Sequence, residues 1–387
     1  MPTTPAKNLL YRAALPILAP HSRGQMTHHI SGHPLTTLPN YERILAKHHV
    51  FGASLLLQDG ANCALCDTST AKPEHLAQEN TLYRVASITK MATALVTLRC
   101  IDNGLFALNS AAASLLPDGE KNPALSGVTV RHLLCHTSGL RDLPMLDSCL
   151  KEGKPYTELL RQPEIRACAP GQQLIYSNFG FGLLGCILEQ QTGLCIEPLF
   201  QEMLFRPLHM RATLDASTLN EAEIMPITRV LPYRAGQELR VTALGRHPLQ
   251  KPNPLYHYGH TAGAMYTDCR SVLQMLTLIH QRGTMDGVRL ISENLMQEMT
   301  RRQSATPTRT YGLGLVILNR PEISPRQLLG HQGFAYGCVD GAFIEEETGR
   351  AVVFLNGGAS EARTGRLGLV NRDVLQWALK QEMPSWT

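Results

Sequence analysis

Apolar residues along this chain fall into runs of two lengths. Phe51 to Leu57 and Cys63 to Asp67 are short runs on either side of Asp59-Gly60-Ala61-Asn62, the pattern of two strands joined by a tight turn. Cys338 to Glu345 and Ala351 to Asn356 repeat it around Glu346-Glu347-Thr348-Gly349. The helical runs begin with Met91 to Leu98, which stops near Asn103-Gly104. Val130 to Cys135, Phe179 to Gln191, Arg270 to Arg282 and Leu367 to Lys380 read the same way, and Gly193 fits a C-cap. Tyr41 to Lys47 predicts a short amphipathic helix, and a further helix is expected after Gly287. Residues 1–38 read as a loose tail. Residues 220–260, rich in Pro and polar groups with weak periodicity, read as an insert that shapes a pocket.

Strand signals thus gather at the two ends of the chain and helix signals in the middle. This predicts an α+β fold with a discontinuous sheet domain (39–104 and 286–387) and a mainly helical domain (105–285) that carries the 220–260 loop insert. The sheet would be antiparallel and flanked by helices, with a site in the cleft between the domains. A chain of 387 residues has ample core for this. Its hydrophobic content of 43% and charged content of 18% are those of an ordinary globular protein.

Charge and motifs exclude several functions. The net charge of +4 is dispersed, with no Lys/Arg block, so nucleic acid is not an expected partner. Gly-rich phosphate loops are absent. No apolar run reaches the roughly 18 residues of a membrane span. Leu9 to Leu18 follows Lys7 but is interrupted by Arg12 and lacks a clear cleavage site, so it does not read as a signal peptide. Met26 is a candidate alternative start. The ten cysteines are scattered, and Cys63-Ala64-Leu65-Cys66 is the sole C-x-x-C. Without a second pair it is weak for zinc, and buried free thiols in a reducing cytoplasm are expected. His28-His29 and His48-His49 lack acidic partners at ligand spacing and are expected on the surface, not as metal ligands.

The chemistry lies in three short motifs. In Ser87-Ile88-Thr89-Lys90 a helix would put Ser87 at its N-terminus and Lys90 one turn on, on the same face. Lysine can take the serine proton, and the free N–H groups of a helix start suit a developing oxyanion. In Tyr176-Ser177-Asn178, on a loop that begins Pro170-Gly171, the phenol can relay a proton and the amide can bind a substrate amide. In His331-Gln332-Gly333 the glycine allows close backbone approach, and the N–H of Phe334 just after it can be a second oxyanion donor. Each motif alone also has an ordinary structural reading: an N-cap serine, a packed tyrosine with a turn asparagine, a core histidine.

Together, their order and spacing resemble the serine β-lactamase and penicillin-binding protein group, with Ser-x-x-Lys, Ser/Tyr-x-Asn and Lys-Thr-Gly. The branch related to class C enzymes, with Tyr-x-Asn, is the nearer likeness. Val128 to Leu140, Phe205 to Met210 and Ala262 to Thr267 look similar to that branch too, so the resemblance runs from about Phe51 to about Leu379. It implies a β-lactamase/transpeptidase-like fold and a serine hydrolase. Ser87 would be the acylated nucleophile, Lys90 its base and Tyr176 the proton shuttle. Asn178 would hold the substrate amide and Lys90, and the N–H groups of Ser87 and Phe334 would bind the oxyanion. Gly333 matches the strand glycine. No metal or cofactor is implied, and the partner would be a small molecule or short peptide.

His331 departs from the lysine usual there. A largely neutral imidazole attracts a substrate carboxylate less, though it can donate a hydrogen bond. That shifts expectation from β-lactamase or D-alanyl carboxypeptidase toward esterase and D-aminopeptidase members. A β-lactamase, an acyltransferase using the same acyl-enzyme and a non-catalytic binding relative stay open.

Overall fold

A computed structural model describes residues 26–35, 37–69, 77–227, 245–335, 337–365 and 367–381, together with 9–10 and 13–14. The central hairpin pairs β2 (Ala53–Asp59) with β3 (Asn62–Ser69), and Gly60 supplies the positive φ of 57° that its turn needs. The expected tail corrects itself here: Thr27–Gly32 is a strand, β1, paired antiparallel along β3. Its period of exposed and half-buried positions suits a sheet edge, a pattern too weakly apolar to read as a strand from sequence. The remaining strands of this sheet come from the C-terminal part: β4 (Ser304–Thr306), β5 (Arg309–Tyr311), β6 (Val316–Leu318), β7 (Leu328–Ala335), β8 (Cys338–Glu345) and β9 (Ala351–Asn356). All nine form one sheet in the order β1-β3-β2-β9-β8-β7-β6-β5-β4, every neighbouring pair antiparallel.

Alternation along the strands gives the sheet two apolar faces. One packs α1 (Leu38–Lys47) and the C-terminal helix Leu369–Ala378, with Tyr41, Leu45, Val370, Val374 and Trp377 against Leu55, Phe343 and Phe354. Tyr41 stacks on Trp377 at 5.1 Å. The other face carries Leu56, Leu65, Leu329 and Val353 into the larger core with the helical part. That part is led by α2 (Thr89–Asp102), α3 (Val130–Leu134) and α4 (Asn178–Thr192). Ser177 caps α4 by accepting from the Gly180 N–H, and Gly193 ends it at φ 68°.

One boundary and one set of placements differ from expectation. The helix α5 (Cys269–His280) was placed in the helical middle, yet it lies on β2, β8 and β9, because Val272, Met275 and Ile279 share one apolar stripe. Three of the four paired histidines also lie further in than expected, while His29 is exposed. His48 and His49 are buried, and His48 bonds Asp373 at 2.8 Å. His28 is largely covered and bonds Glu42 at 2.8 Å. Their acidic partners lie in other elements, so local spacing could not show them. Part of the 220–260 insert, residues 228–244, lies outside the described residues.

Candidate active site

The chain reaches Ser87 through Tyr83-Arg84, a two-residue strand paired with Tyr266-Thr267. Val85 then donates to the Met265 carbonyl at 3.1 Å. Ser87 sits in a 3₁₀ turn, Ala86–Ile88, just ahead of α2; it is not in the α-helix itself, which starts at Thr89. The Thr89 hydroxyl donates to the Ala86 carbonyl at 2.6 Å and accepts from Met265 N–H at 3.1 Å, so the turn is tied on both sides.

Lys90 follows one turn later and is fully buried. Its Nζ donates to Ser87 Oγ at 3.0 Å, to Asn178 Oδ1 at 2.8 Å and to the Ala262 carbonyl at 2.5 Å. An ammonium has three protons for these three acceptors. Once it loses one, the carbonyl and amide oxygens can only accept and keep the remaining two. The lone pair is then left facing the Ser87 hydroxyl, the geometry a general base needs. The faces of Tyr176 and Phe181 lie 5.0 and 5.5 Å from Nζ. Tyr176 donates to Ser87 Oγ at 2.8 Å.

The Ala262 carbonyl reaches Lys90 because α4 lets its segment come close. A Cβ at Gly182 would stand 1.9 Å from the Tyr258 carbonyl oxygen, and one at Gly185 would stand 2.6 Å from the Thr261 hydroxyl. Thr93 then bonds the Thr261 carbonyl at 2.7 Å.

Asp142 is the residue that sequence reasoning missed. Its carboxylate accepts from Asn178 Nδ2 at 2.7 Å, Ser177 Oγ at 3.1 Å and Phe179 N–H at 2.9 Å. Its one sequence signal is its place two residues beyond the Val128 to Leu140 stretch.

The second wall is β7. On one side it pairs with β8 as far as Ala335, while on the other its pairing with β6 stops at Gly330. The stretch from His331 onward therefore leaves a strand edge unpaired by the sheet, beside the Ser87 turn. Gly333 is required there, since a Cβ would stand 2.4 Å from the Val85 carbonyl oxygen. The Phe334 side chain points to the other face, with the Arg363 guanidinium 3.8 Å from its ring centre, so only its backbone faces this wall.

His331 is buried, and its Nδ1–H donates to the Gln332 carbonyl at 2.7 Å. Burial, reinforced by the Lys90 charge, pushes its pKa down to about 3. The ring is neutral at pH 7, as expected. Its donor, however, is taken by Gln332. What remains is Nε2, an acceptor with no hydrogen-bond partner among the described residues.

Glu189, Cys195 and His257 bring three possible metal-ligand atoms within 4.8 Å of one another in the core. The Glu189 carboxylate already accepts from Ile196 N–H at 2.9 Å, Asn253 N–H at 2.8 Å and His257 Nδ1 at 2.7 Å. This is a buried tether between α4 and the 253–257 segment.

A nine-stranded sheet with helices on both faces, and a serine within hydrogen-bond reach of a buried lysine and a tyrosine, are built in the manner of a serine hydrolase. A profile of the beta-lactamase family matches residues 40–373. The chain belongs to that family. Over 174 residues it is 29% identical to the D-alanyl-D-alanine-carboxypeptidase/endopeptidase AmpH of Escherichia coli (strain K12), covering 42% of this chain and 44% of that protein. The alignment thus spans less than half of that relative. Over 356 residues it is 26% identical to the esterase EstB of Burkholderia gladioli, covering 80% of this chain and 85% of the esterase. A crystal structure of D-amino acid amidase from Ochrobactrum anthropi SV3 superposes with a TM-score of 0.65 at 22% identity, over 86% of this chain and 94% of the amidase, a likeness of fold.

Proposed function

We propose that the protein is a serine hydrolase that cleaves small esters or amides, short peptides included, through an acyl-enzyme on Ser87. One observation carries this reading: Ser87 Oγ lies 3.0 Å from Lys90 Nζ and 2.8 Å from Tyr176 Oη. Lys90, through its lone pair, takes the hydroxyl proton as Ser87 attacks the carbonyl carbon. Tyr176 passes a proton to the leaving alcohol or amine, and water then attacks the acyl-enzyme. The N–H groups of Ser87 and Phe334 hold the oxyanion in both steps. Asn178 and Asp142 fix the lysine.

The substrate class follows from His331. A neutral, buried ring whose Nε2 has no partner among the described residues and can only accept offers no charge to a carboxylate. It suits neutral or amine-bearing acyl groups, such as simple esters and the amides of amino acids with a free amine. The names of the esterase and the D-amino acid amidase support the same choice. The cytosol is the proposed compartment, on the ground that the ten cysteines are free thiols, eight of them buried. Among the described residues no single helix is long and apolar enough to cross a membrane.

The test compares hydrolysis of a short-chain nitrophenyl ester, a D-alanyl nitroanilide and a chromogenic cephalosporin, with Ser87→Ala as the blank. Turnover of the first two with little of the third supports the reading. Fast cephalosporin turnover would make it a β-lactamase, and a new ester formed with an added alcohol would mark acyl transfer.

A further inference from the structure

α3 ends in a Schellman motif. The Thr137 N–H bonds the His132 carbonyl at 2.8 Å, and the His136 N–H bonds the Leu133 carbonyl at 3.4 Å. His136 holds the left-handed position of that motif at φ 61°. Glycine takes this position at no steric cost, whereas a residue with a Cβ is strained there. A buried histidine at such a place indicates a role for its side chain.

That side chain and its own backbone hold Tyr176 from both sides. The His136 carbonyl accepts from Ile175 N–H at 2.8 Å. Its Nδ1 accepts from Ser177 N–H at 3.3 Å. Its ring lies 4.3 Å from the Tyr176 ring, tilted by 36°. Phe181 and Tyr311 complete the packing, with ring centres 5.0 and 5.2 Å from His136. One residue thus fixes the backbone on either side of Tyr176 and the plane of its ring. The product of that placement is the 2.8 Å bond from Tyr176 Oη to Ser87 Oγ.

We propose that His136 is a positioning residue that aims the Tyr176 hydroxyl at Ser87. The inference rests on the reading of Ser87, Lys90 and Tyr176 given above. His136 touches none of the reacting atoms; it acts through Tyr176. A misplacement of about 1 Å in a catalytic group can cost on the order of 10²-fold in rate.

Three variants separate this role from folding. His136→Gly removes the ring and relieves the left-handed backbone. His136→Asn keeps an acceptor near Nδ1 and tolerates positive φ. Tyr176→Phe keeps the ring against His136 and removes the hydroxyl. Each is assayed with a nitrophenyl ester, recording the pre-steady-state burst, kcat and KM, with circular dichroism to show the fold. His136→Gly is expected to lower kcat by roughly 10- to 100-fold with KM changed far less. His136→Asn is expected to recover part of that loss. In the Tyr176→Phe background, His136→Gly should have almost no further effect, since the hydroxyl it would misplace is gone.

An equal fold-loss from His136→Gly with and without the Tyr176 hydroxyl would overturn the proposal, as would wild-type kcat in a folded His136→Gly protein. Should His136→Gly not fold, His136→Asn in the same two backgrounds decides by the same comparison. Full activity of Ser87→Ala would instead overturn the hydrolase reading, and is told apart by that single control.

Discussion

Asp142 and Asn178 stand 36 positions apart in sequence and are joined by a 2.7 Å hydrogen bond that decides which way the asparagine amide faces. A carboxylate only accepts, so it must take Nδ2, and this leaves Oδ1 turned to Lys90 at 2.8 Å. The same carboxylate serves the Phe179 N–H in the first turn of α4, where negative charge is favoured. The amide orientation, the lysine lone pair and a helix start thus depend on one side chain.

Asp142→Ala is therefore expected to act on both rate and stability. The freed amide can turn its NH₂ toward Lys90 and so displace the base. Acylation of a nitrophenyl ester should slow by about 10- to 100-fold. Loss of the bond to the helix start should cost about 1–2 kcal/mol. Rapid-mixing acylation rates and urea unfolding measure the two effects. An unchanged acylation rate would remove Asp142 from the site.

Lys90→Met tests the base. Methionine fills similar space but cannot take a proton, so acylation should fall by roughly two to four orders of magnitude. It also leaves the buried Ala262 carbonyl without its Lys90 donor, at a cost of about 1–3 kcal/mol. A protein that unfolds at lower urea yet acylates at the wild-type rate would show that Lys90 is structural only.

The sequence carries the site unevenly, and the reason is physical. Ser87 and Lys90 are one helical turn apart, and the hairpin register follows from alternation about a glycine turn, so both are local and legible. Asp142, His136 and Ala262 act across folded distance. Nothing in the sequence near Asp142 says that it meets Asn178, and a carbonyl such as that of Ala262 has no residue type to betray it. β1 was missed because an edge strand needs only one apolar face. His48 was misplaced outward because its partner Asp373 lies 325 positions away.

His331→Lys tests the charge argument. The wild-type ring is neutral down to a pKa of about 3, so acidifying from pH 8 to pH 5 should not improve carboxylate-bearing substrates. The lysine variant should raise kcat/KM for a penicillin relative to a neutral ester, by about 10-fold if the new cation contributes about 1.4 kcal/mol. An unchanged ratio would show that charge at this position does not select the substrate.

Two buried groups make the fold acid-sensitive in different pH windows. His331 is held neutral, with a pKa of about 3, whereas an unfolded histidine titrates near 6.5. Between these values the unfolded chain binds the extra proton, so stability falls as pH drops from about 6.5, by up to about 1.4 kcal/mol per pH unit. Asp373 is shifted in the same direction, but in a lower pH window. Burial raises it, but bonds from His48, Lys47 and Arg372 outweigh burial and hold it well below the usual carboxylate range. Its stabilisation is complete above an unfolded pKa of about 3.9 and is lost only as pH falls further. Urea unfolding at pH 7 and pH 5 separates them. His331→Gln should remove about 2 kcal/mol of the wild-type loss between those pH values. Asp373→Asn should lower stability at pH 7 by about 2–4 kcal/mol, because it removes the carboxylate that accepts from Lys47, His48 and Arg372. A wild-type pH slope in His331→Gln would mean that this ring takes up its proton in the folded protein as readily as in the unfolded chain.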